Sequence, residues 1–268
     1  MKKTSPKKSP PKTGENPMQS EKGDLPFIEH LRELRKRLIY SIFTLIIFFP
    51  VAYYFYHEIV AFLYKPFDFV KQQSEDSLYI TGVLEGLLVR LKVSFFVAFL
   101  FSFPFHLYHV MRFIFPGLYS REKKIVSIML ALSFLFVFFS VYYTYEQIIP
   151  ISVSFLLSSG FIPQDVGLLL SFERNVFFVL QFLFAGLILF QLPILLQVLL
   201  IMDVIKRRAL VSYTRYIIIC IFVVSAFLTP PDPLSLLALS LPLVLMFLLT
   251  LLIAKIFNFG ADFEDKRS

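Results

Sequence analysis

The chain has 268 residues, 57% of them hydrophobic, with 34 phenylalanines and a formal net charge of +7. A soluble domain of this length does not need so much apolar surface, whereas a polytopic helical membrane protein does. The basic residues lie in short clusters between apolar runs, which is typical of juxtamembrane charge and argues against a nucleic-acid-binding surface. Because Cys220 is the single cysteine, the chain has no internal disulfide.

The first segment, residues 1–24, is rich in lysine and proline and almost free of apolar residues. Such a composition cannot bury enough apolar surface to fold, and it predicts a disordered, basic cytoplasmic tail. It does not resemble a signal peptide, because the apolar run begins only at Leu38 and is too long. We expect residues 25–257 to form a transmembrane domain and residues 258–268 to form a cytoplasmic C-terminal tail.

A short charged stretch, residues 26–38, leads into the first apolar run. Apolar residues recur there at three- and four-residue spacing from Phe27 to Leu38, so they line one helix face. Asp24 can cap this helix, and Pro26 suits its first turn. We interpret the stretch as a helix at the membrane surface that continues into a membrane span.

Six apolar runs predict an all-α polytopic membrane protein with six transmembrane helices. The fifth run is only ~20 Å long as a helix, and the proline-rich turn after it cannot continue a helix. We therefore expect the last two spans to be a short antiparallel hairpin, with local thinning of the bilayer. The predicted spans are 38–56, 83–108, 125–148, 176–200, 216–228 and 234–256.

Two longer connections, 57–80 and 149–174, are expected on the outer side of the membrane. The first contains aromatic residues that suit an interfacial segment. The early part of the second span carries Glu85, Arg90 and Lys92. We expect these two basic side chains to snorkel or to pair with Glu85.

The lysines and arginines are distributed unequally between the two sides of the predicted membrane. With six spans and the N-terminus inside, most of the 26 basic residues fall in the inner segments. The bias persists when the N-terminal tail is left out. It predicts that both termini are in the cytoplasm.

Motifs of the common catalytic sites are absent from the sequence, which has no His-Glu-x-x-His, Gly-x-Ser-x-Gly, Walker or dinucleotide-binding pattern. His106 and His109 share a helix face, but two histidines without a nearby cysteine or carboxylate make a poor metal site. We expect them to form hydrogen bonds, and we expect neither an enzyme nor a cofactor.

Two carboxylates, Glu33 and Glu122, are predicted to lie among basic residues on the cytoplasmic face. Together they could accept two arginines, because a carboxylate binds a guanidinium in a bidentate way that lysine cannot match. The alternative is that each neutralises its basic neighbours, for example Glu33 with Arg37 four residues later. Both interpretations stay open from the residues alone.

Gln191 is a polar residue inside the fourth predicted span, two residues before Pro193. Such an amide usually forms a hydrogen bond with another helix or with a backbone carbonyl that the proline leaves free. A functional, water-lined polar site is the other interpretation.

Three motifs resemble a known family. Residues 30–38, with the sequence HLRELRKRL, resemble the N-terminal motif of TatC, the polytopic component of the twin-arginine protein translocase. Residues 113–122 are similar to the first cytoplasmic loop of that family, and residues 228–232 resemble its final outer turn. The resemblance covers about residues 25–257. The residues that we assign to its structural motifs are Pro66, Pro116, Gly117, Tyr119, Pro230 and Asp232.

The resemblance implies a receptor for the twin-arginine signal peptides of folded export substrates. Glu33 and Glu122 would receive the two arginines, with Arg35 and Phe113 shaping the site. The spans would form a concave, glove-like wall in the bacterial cytoplasmic (inner) membrane, in contact with membrane lipid. TatA- and TatB-type single-span subunits would be partners, the protein would self-associate in the receptor complex, and the proton-motive force would drive transport without a nucleotide.

One position departs from this family, which often carries Glu where this chain has Gln191. Glutamine keeps the hydrogen bonds but cannot ionise, which argues against a proton-carrying role here. Two other protein classes are alternatives to the receptor. A small-solute secondary transporter needs polar residues that converge at the membrane midplane, and an intramembrane enzyme needs a nucleophile or a metal at depth.

Overall fold

The computed structural model describes the backbone of residues 18–67, 79–80, 82–114, 120–157, 171–230 and 232–260. Side chains are described for the same residues except 18–28, 30, 114 and 120–122. Within these ranges the regular structure is helical, apart from one isolated parallel bridge between Tyr79 and Ser171. The prediction of an all-α fold is therefore confirmed.

Two short irregular helical turns accompany the α-helices of the described residues. A 3₁₀ turn, Lys65–Phe67, follows the second helix, and a π-helical turn, Thr144–Ile148, joins the fourth helix to the fifth. The α-helices are α1 (Met18–Tyr54), α2 (Tyr56–Tyr64), α3 (Glu85–Ile114), α4 (Ser120–Tyr143), α5 (Ile149–Leu156), α6 (Phe172–Leu189), α7 (Leu192–Ile201), α8 (Arg207–Ser212), α9 (Thr214–Leu228) and α10 (Pro233–Ile256).

Among the described residues, 5 helical stretches are long and apolar enough to cross a membrane, which agrees with a polytopic membrane protein. α9 is shorter, with 15 residues, and measures ~22 Å. The sixth span and the cytoplasmic location of both termini stay predictions. The long stretches are Leu31–Tyr54, Glu85–Phe113, Lys123–Leu156, Phe172–Ile201 and Pro233–Ile256.

The last helix, α10, corrects the prediction that the final two spans are both short. It has 24 residues and measures ~36 Å, long enough to cross the hydrocarbon core. Asp232 caps its start, because the Asp232 Oδ2 accepts a hydrogen bond from the Ser235 N–H at 2.7 Å. Pro242 lies inside the helix without ending it, as packed membrane helices allow.

The first helix corrects the predicted N-terminal boundary. α1 begins at Met18, so its start lies before Asp24, and residues 18–24 of the predicted tail are helical. Met18, Gln19, Glu21 and Lys22 are good helix formers. The lysine- and proline-rich composition of the whole tail does not reveal this local preference. Pro26 accordingly lies inside α1 and not in its first turn. Residues 1–17 lie outside the described residues.

The predicted outer connection 149–174 is wrong in its first part, because residues 149–156 form α5. The π-helical turn carries the chain directly from α4 into α5. Pro150 lies in the first turn of α5, where a missing N–H is tolerated. Residues 158–170 lie outside the described residues.

The predicted fourth span is divided into α6 and α7 by a break at Phe190 and Gln191. Pro193 lies in the first turn of α7. A proline has no N–H to donate to the carbonyl four residues earlier, here that of Leu189, so a continuous helix loses a bond at this point. The break places Gln191 between two helices.

α6 and α7 form the centre of the bundle. Phe182, Phe190 and Leu187 are among the most deeply buried side chains, and the two helices contact α3, α4, α9 and α10. α1 packs mainly along α3 and leaves much of its surface exposed. We call the end of the bundle with residues 29–40 the inner end and the end with residues 56–67 the outer end.

Candidate functional site

Glu33 and Arg37 form an ion pair at the inner end. Arg37 Nη2 donates a hydrogen bond to Glu33 Oε1 at 3.0 Å, and both side chains are partly buried. The four-residue spacing brings the two groups onto one face of α1. The structure therefore shows the local neutralisation that the sequence leaves open for Glu33, while its binding of a ligand arginine stays a prediction.

Aromatic rings join α1 to α3 beside this ion pair. The ring centroids of Tyr40 and His109 are 5.8 Å apart, and the Lys36 Nζ lies 5.9 Å from the Tyr40 centroid. His106 Nε2 lies 2.9 Å from Ser102 Oγ, so this histidine forms the hydrogen bond that the sequence predicts. In the described part of the chain His109 Nδ1 is buried without a hydrogen-bond partner.

The other residues of the predicted peptide site lie near the inner end, as far as the structure describes them. Arg35 is exposed on α1, and Phe113 is half-buried in the last turn of α3. That Glu33 and Glu122 together bind two arginines stays a prediction. The site and motif residues outside the described side chains are Pro116, Gly117, Tyr119 and Glu122.

Gln191 is buried in the break between α6 and α7, with only 8% of its surface exposed. Its Oε1 accepts a hydrogen bond from Ser133 Oγ of α4 at 2.5 Å. Within the described ranges its Nε2 has no hydrogen-bond partner. The amide thus forms the inter-helix hydrogen bond that the sequence predicts, and contact with a partner helix stays a prediction.

A second buried amide, Gln197 in α7, is absent from the sequence prediction of the site. It is 4% exposed, and neither its Oε1 nor its Nε2 has a hydrogen-bond partner among the described residues. The sequence feature that could have indicated a buried polar residue here is its position in the same apolar run as Gln191. An unpaired buried amide costs free energy, so we expect this residue to lower the stability of the folded protein.

A cavity of about 700 Å³ opens between α2, α3, α4 and α6. Aliphatic and aromatic side chains such as Phe62, Leu100 and Val137 form most of its wall, which also includes the carboxylates of Glu58 and Glu146. It is a concave apolar face of the kind that the family resemblance implies. No short motif marks it, because its residues come from four helices.

Polar side chains near the outer end reach between helices. The Arg90 guanidinium of α3 lies 4.1 Å from the Tyr53 ring centroid and 5.3 Å from that of Tyr56, and it donates to the Tyr53 carbonyl at 3.3 Å. Lys92 Nζ forms an ion pair with Glu173 of α6 at 2.8 Å. Both basic residues therefore contact groups on other helices, and the carboxylate that pairs with Lys92 is Glu173 and not the expected Glu85.

Two further residues fix the start of α6. Tyr64 Oη donates to the Phe172 carbonyl at 2.9 Å, and the two rings stack at 5.6 Å. Burial raises the pKa of the Tyr64 hydroxyl, which therefore keeps the proton that it donates. Glu85 accepts hydrogen bonds from the N–H groups of Gly82 at 3.1 Å and Glu173 at 3.4 Å.

Three predicted motif residues near the outer end are described. Pro66 lies in the 3₁₀ turn after α2. Pro230 lies in the turn between α9 and α10, and its carbonyl accepts a hydrogen bond from the Asp232 N–H at 2.7 Å. Asp232 in turn caps α10, so these residues shape turns.

The fold and the site define a polytopic helical membrane protein with a charged inner end and a concave apolar face. The sequence matches the family described as "Sec-independent protein translocase protein (TatC)" over residues 29–242. The TatC protein of Aquifex aeolicus is 34% identical over 232 residues, which cover 87% of this chain and 95% of that relative. The TatC protein of Helicobacter pylori strain J99 is 32% identical over 230 residues, covering 85% and 88% respectively.

A crystal structure of the twin arginine translocase receptor TatC in DDM superposes with a TM-score of 0.74 at 33% identity, covering 84% of this chain and 98% of that chain. This chain belongs to the TatC family. It is therefore a subunit of the twin-arginine protein translocase and a non-enzymatic membrane protein. The assignment favours protein transport over the solute-transport and enzyme alternatives.

Proposed function

We propose that this chain is the receptor and core subunit of the translocase, and that it binds twin-arginine signal peptides of folded proteins at the cytoplasmic face. Glu33 and Glu122 accept the two arginines, while Arg35 and Phe113 shape the site. The observation that carries this proposal is the geometry of Glu33.

The Glu33 carboxylate already binds a guanidinium, that of Arg37, at 3.0 Å in a partly buried position. A charge-assisted hydrogen bond of this kind is stronger than one between neutral groups, and a planar guanidinium suits a carboxylate better than an ammonium does. A ligand arginine would meet the same chemistry at Glu33, either by displacing Arg37 or by sharing the carboxylate with it.

The apolar part of a signal peptide needs an apolar surface beside the charged site. Leu31 and Leu34 lie on another face of the same turns of α1 and are 46% and 44% exposed. Half-buried Phe113 would add an aromatic contact from α3. These side chains support apolar contacts for the peptide near the inner end.

The same proposal covers assembly. The chain lies in the bacterial cytoplasmic (inner) membrane, self-associates in the receptor complex, and scaffolds TatA- and TatB-type subunits for export that the proton-motive force drives. Gln191 would meet a partner helix at the break between α6 and α7. Its Nε2 has no hydrogen-bond partner among the described residues and is buried, so the break must open for this donor to reach a partner helix.

Binding of synthetic signal peptides to the purified full-length protein in detergent tests the receptor proposal. Peptides with Arg-Arg and with Lys-Lys are compared on the wild type, Glu33→Gln and Glu122→Gln. We expect the wild type to bind the Arg-Arg peptide more tightly than the Lys-Lys peptide. Either substitution should lower the affinity for the Arg-Arg peptide roughly tenfold or more, because it removes a hydrogen bond between charged groups.

Glu29→Gln is the matched control, since Glu29 is an exposed carboxylate on the same helix, one turn before Glu33. It should keep the wild-type affinity and the preference for arginine. Equal binding of both peptides to every variant would show that Glu33 only neutralises Arg37, and the receptor proposal would then be wrong.

A further inference from the structure

A pocket of about 380 Å³ lies on α1 at the inner end, on a different helix face from the Glu33–Arg37 pair. Its residues follow three- and four-residue spacing, so they share one face of the helix. Three of them, Arg32, Arg35 and Lys36, are cations, and we call these three residues the basic stripe. The lining residues are Arg32, Arg35, Lys36, Ile39 and Tyr40.

Among the described side chains no ion pair involves the basic stripe, although the exposed carboxylate of Glu29 lies three residues before Arg32. The nearby carboxylate of Glu33 is engaged by Arg37. None of the ion pairs among the described side chains involves Arg32, Arg35 or Lys36, although Lys36 lies over the Tyr40 ring at 5.9 Å. The pocket therefore concentrates positive charge that attracts an anion.

An exposed apolar surface continues directly from this pocket along α1. Ile39, Phe43 and Ile46 are 51%, 59% and 58% exposed, and their spacing keeps them on the face of the basic stripe. We call them the apolar stripe. α1 packs against α3 with other side chains, such as Phe48 against Phe105, and no described helix covers the apolar stripe.

We propose that this pocket binds the phosphate of an anionic phospholipid, whose acyl chain lies along the apolar stripe. The order of chemistry on the helix matches that of the lipid, with cations at headgroup level followed by an apolar surface deeper in the membrane. Clustered Lys and Arg next to a membrane span attract anionic lipid electrostatically. This site shares Arg35 with the proposed signal-peptide site, but its argument does not rest on that proposal.

Lipid retention by the full-length protein tests the site. The protein in neutral detergent is titrated with phosphatidylglycerol, phosphatidylcholine or inorganic phosphate, and bound molecules are counted by native mass spectrometry. We expect tighter binding of phosphatidylglycerol than of phosphatidylcholine. Arg32→Gln/Lys36→Gln should weaken phosphatidylglycerol binding about tenfold or more, since each juxtamembrane charge is worth roughly fivefold.

The matched control is Arg208→Gln/Lys255→Gln, which removes two exposed cations outside the pocket. It should leave phosphatidylglycerol binding within about twofold of the wild type, because the pocket is intact. Equal losses in the two double variants would mean diffuse attraction and overturn the site. So would equal binding of the two lipids, or displacement of phosphatidylglycerol by inorganic phosphate, which would show an ion site without a lipid.

The two proposals fail separately. Glu33→Gln should lose the arginine peptide and keep the lipid, because Glu33 lies outside the pocket. If Arg32→Gln/Lys36→Gln loses the peptide but keeps phosphatidylglycerol, the basic stripe belongs to the peptide site and the lipid proposal is wrong.

Discussion

The outer and inner ends of the bundle use their polar side chains in different ways. Near the outer end, Arg90, Lys92 and Tyr64 reach across to other helices. At the inner end, Glu33 pairs with Arg37 of its own helix. The polar groups near the outer end therefore hold helices together, whereas the Glu33 carboxylate at the inner end is bound only within its own helix among the described side chains.

The energies of the two kinds of contact support this difference. A partly exposed ion pair within one helix contributes only about 0.3–0.5 kcal/mol, so a ligand can replace it at little cost. A guanidinium stacked on aromatic rings and bonded to a carbonyl contributes more, about 2 kcal/mol where water is excluded. Substitutions near the outer end should therefore change stability, and those at the inner end should change binding.

The largest loss of stability is expected at Gly186 in α6. A Cβ at this position would collide with the Thr144 side chain in the π-helical turn. Gly186→Ala should lower the free energy of unfolding by about 2 kcal/mol through overpacking, measured by SDS-induced unfolding in mixed micelles. Gly86→Ala is the matched control, because a Cβ there meets nothing within 4 Å. Equal effects of the two substitutions would contradict the close contact.

A smaller loss is expected at Arg90. Arg90→Met removes the stacking on Tyr53 and Tyr56 and the bond to the Tyr53 carbonyl, and should lower the free energy of unfolding by about 1–2 kcal/mol. Lys92→Met removes an ion pair with more exposed side chains, and should lower it by less than about 1 kcal/mol. The same unfolding assay compares them. A larger loss for Lys92→Met would reverse our ranking of the two contacts.

Asp232 should have an effect of about 1 kcal/mol, because its carboxylate caps α10 through the Ser235 N–H. Asp232→Ala removes this cap and should lower the free energy of unfolding by that amount. Asp232→Asn keeps a capping oxygen and should stay close to the wild type. If both variants lose the same free energy of unfolding relative to the wild type, the charge of Asp232 matters and the cap does not.

The sequence predicts the contacts that are local and misses those that are distant along the chain. The Glu33–Arg37 pair follows from four-residue spacing, and the short α9 follows from the length of its apolar run. The partner of Lys92 lies 81 residues away, so no spacing rule reveals it. The collision between Gly186 and Thr144 likewise requires the packing of two helices.

Prolines account for most of the differences in helix bounds. Pro150 and Pro193 look alike in the sequence, since both interrupt apolar runs. Pro150 follows a π-helical turn and is absorbed into a continuing helix, whereas Pro193 coincides with a true break. Pro242 has no visible effect on the extent of α10. The proline itself does not distinguish these outcomes, because packing against neighbouring helices can compensate for the lost backbone bond.

Arg37 should show the smallest change in stability and the clearest separation of the two ends. Arg37→Gln removes an ion pair within one helix, so the free energy of unfolding should change by less than about 0.5 kcal/mol. If Arg37 occupies the carboxylate that a signal-peptide arginine needs, the same substitution should raise affinity for the Arg-Arg peptide by about twofold. Peptide titration and unfolding of the same preparation measure both. A weaker affinity would show that Arg37 holds Glu33 in its binding position, and the inner end would then depend on its ion pair as the outer end does.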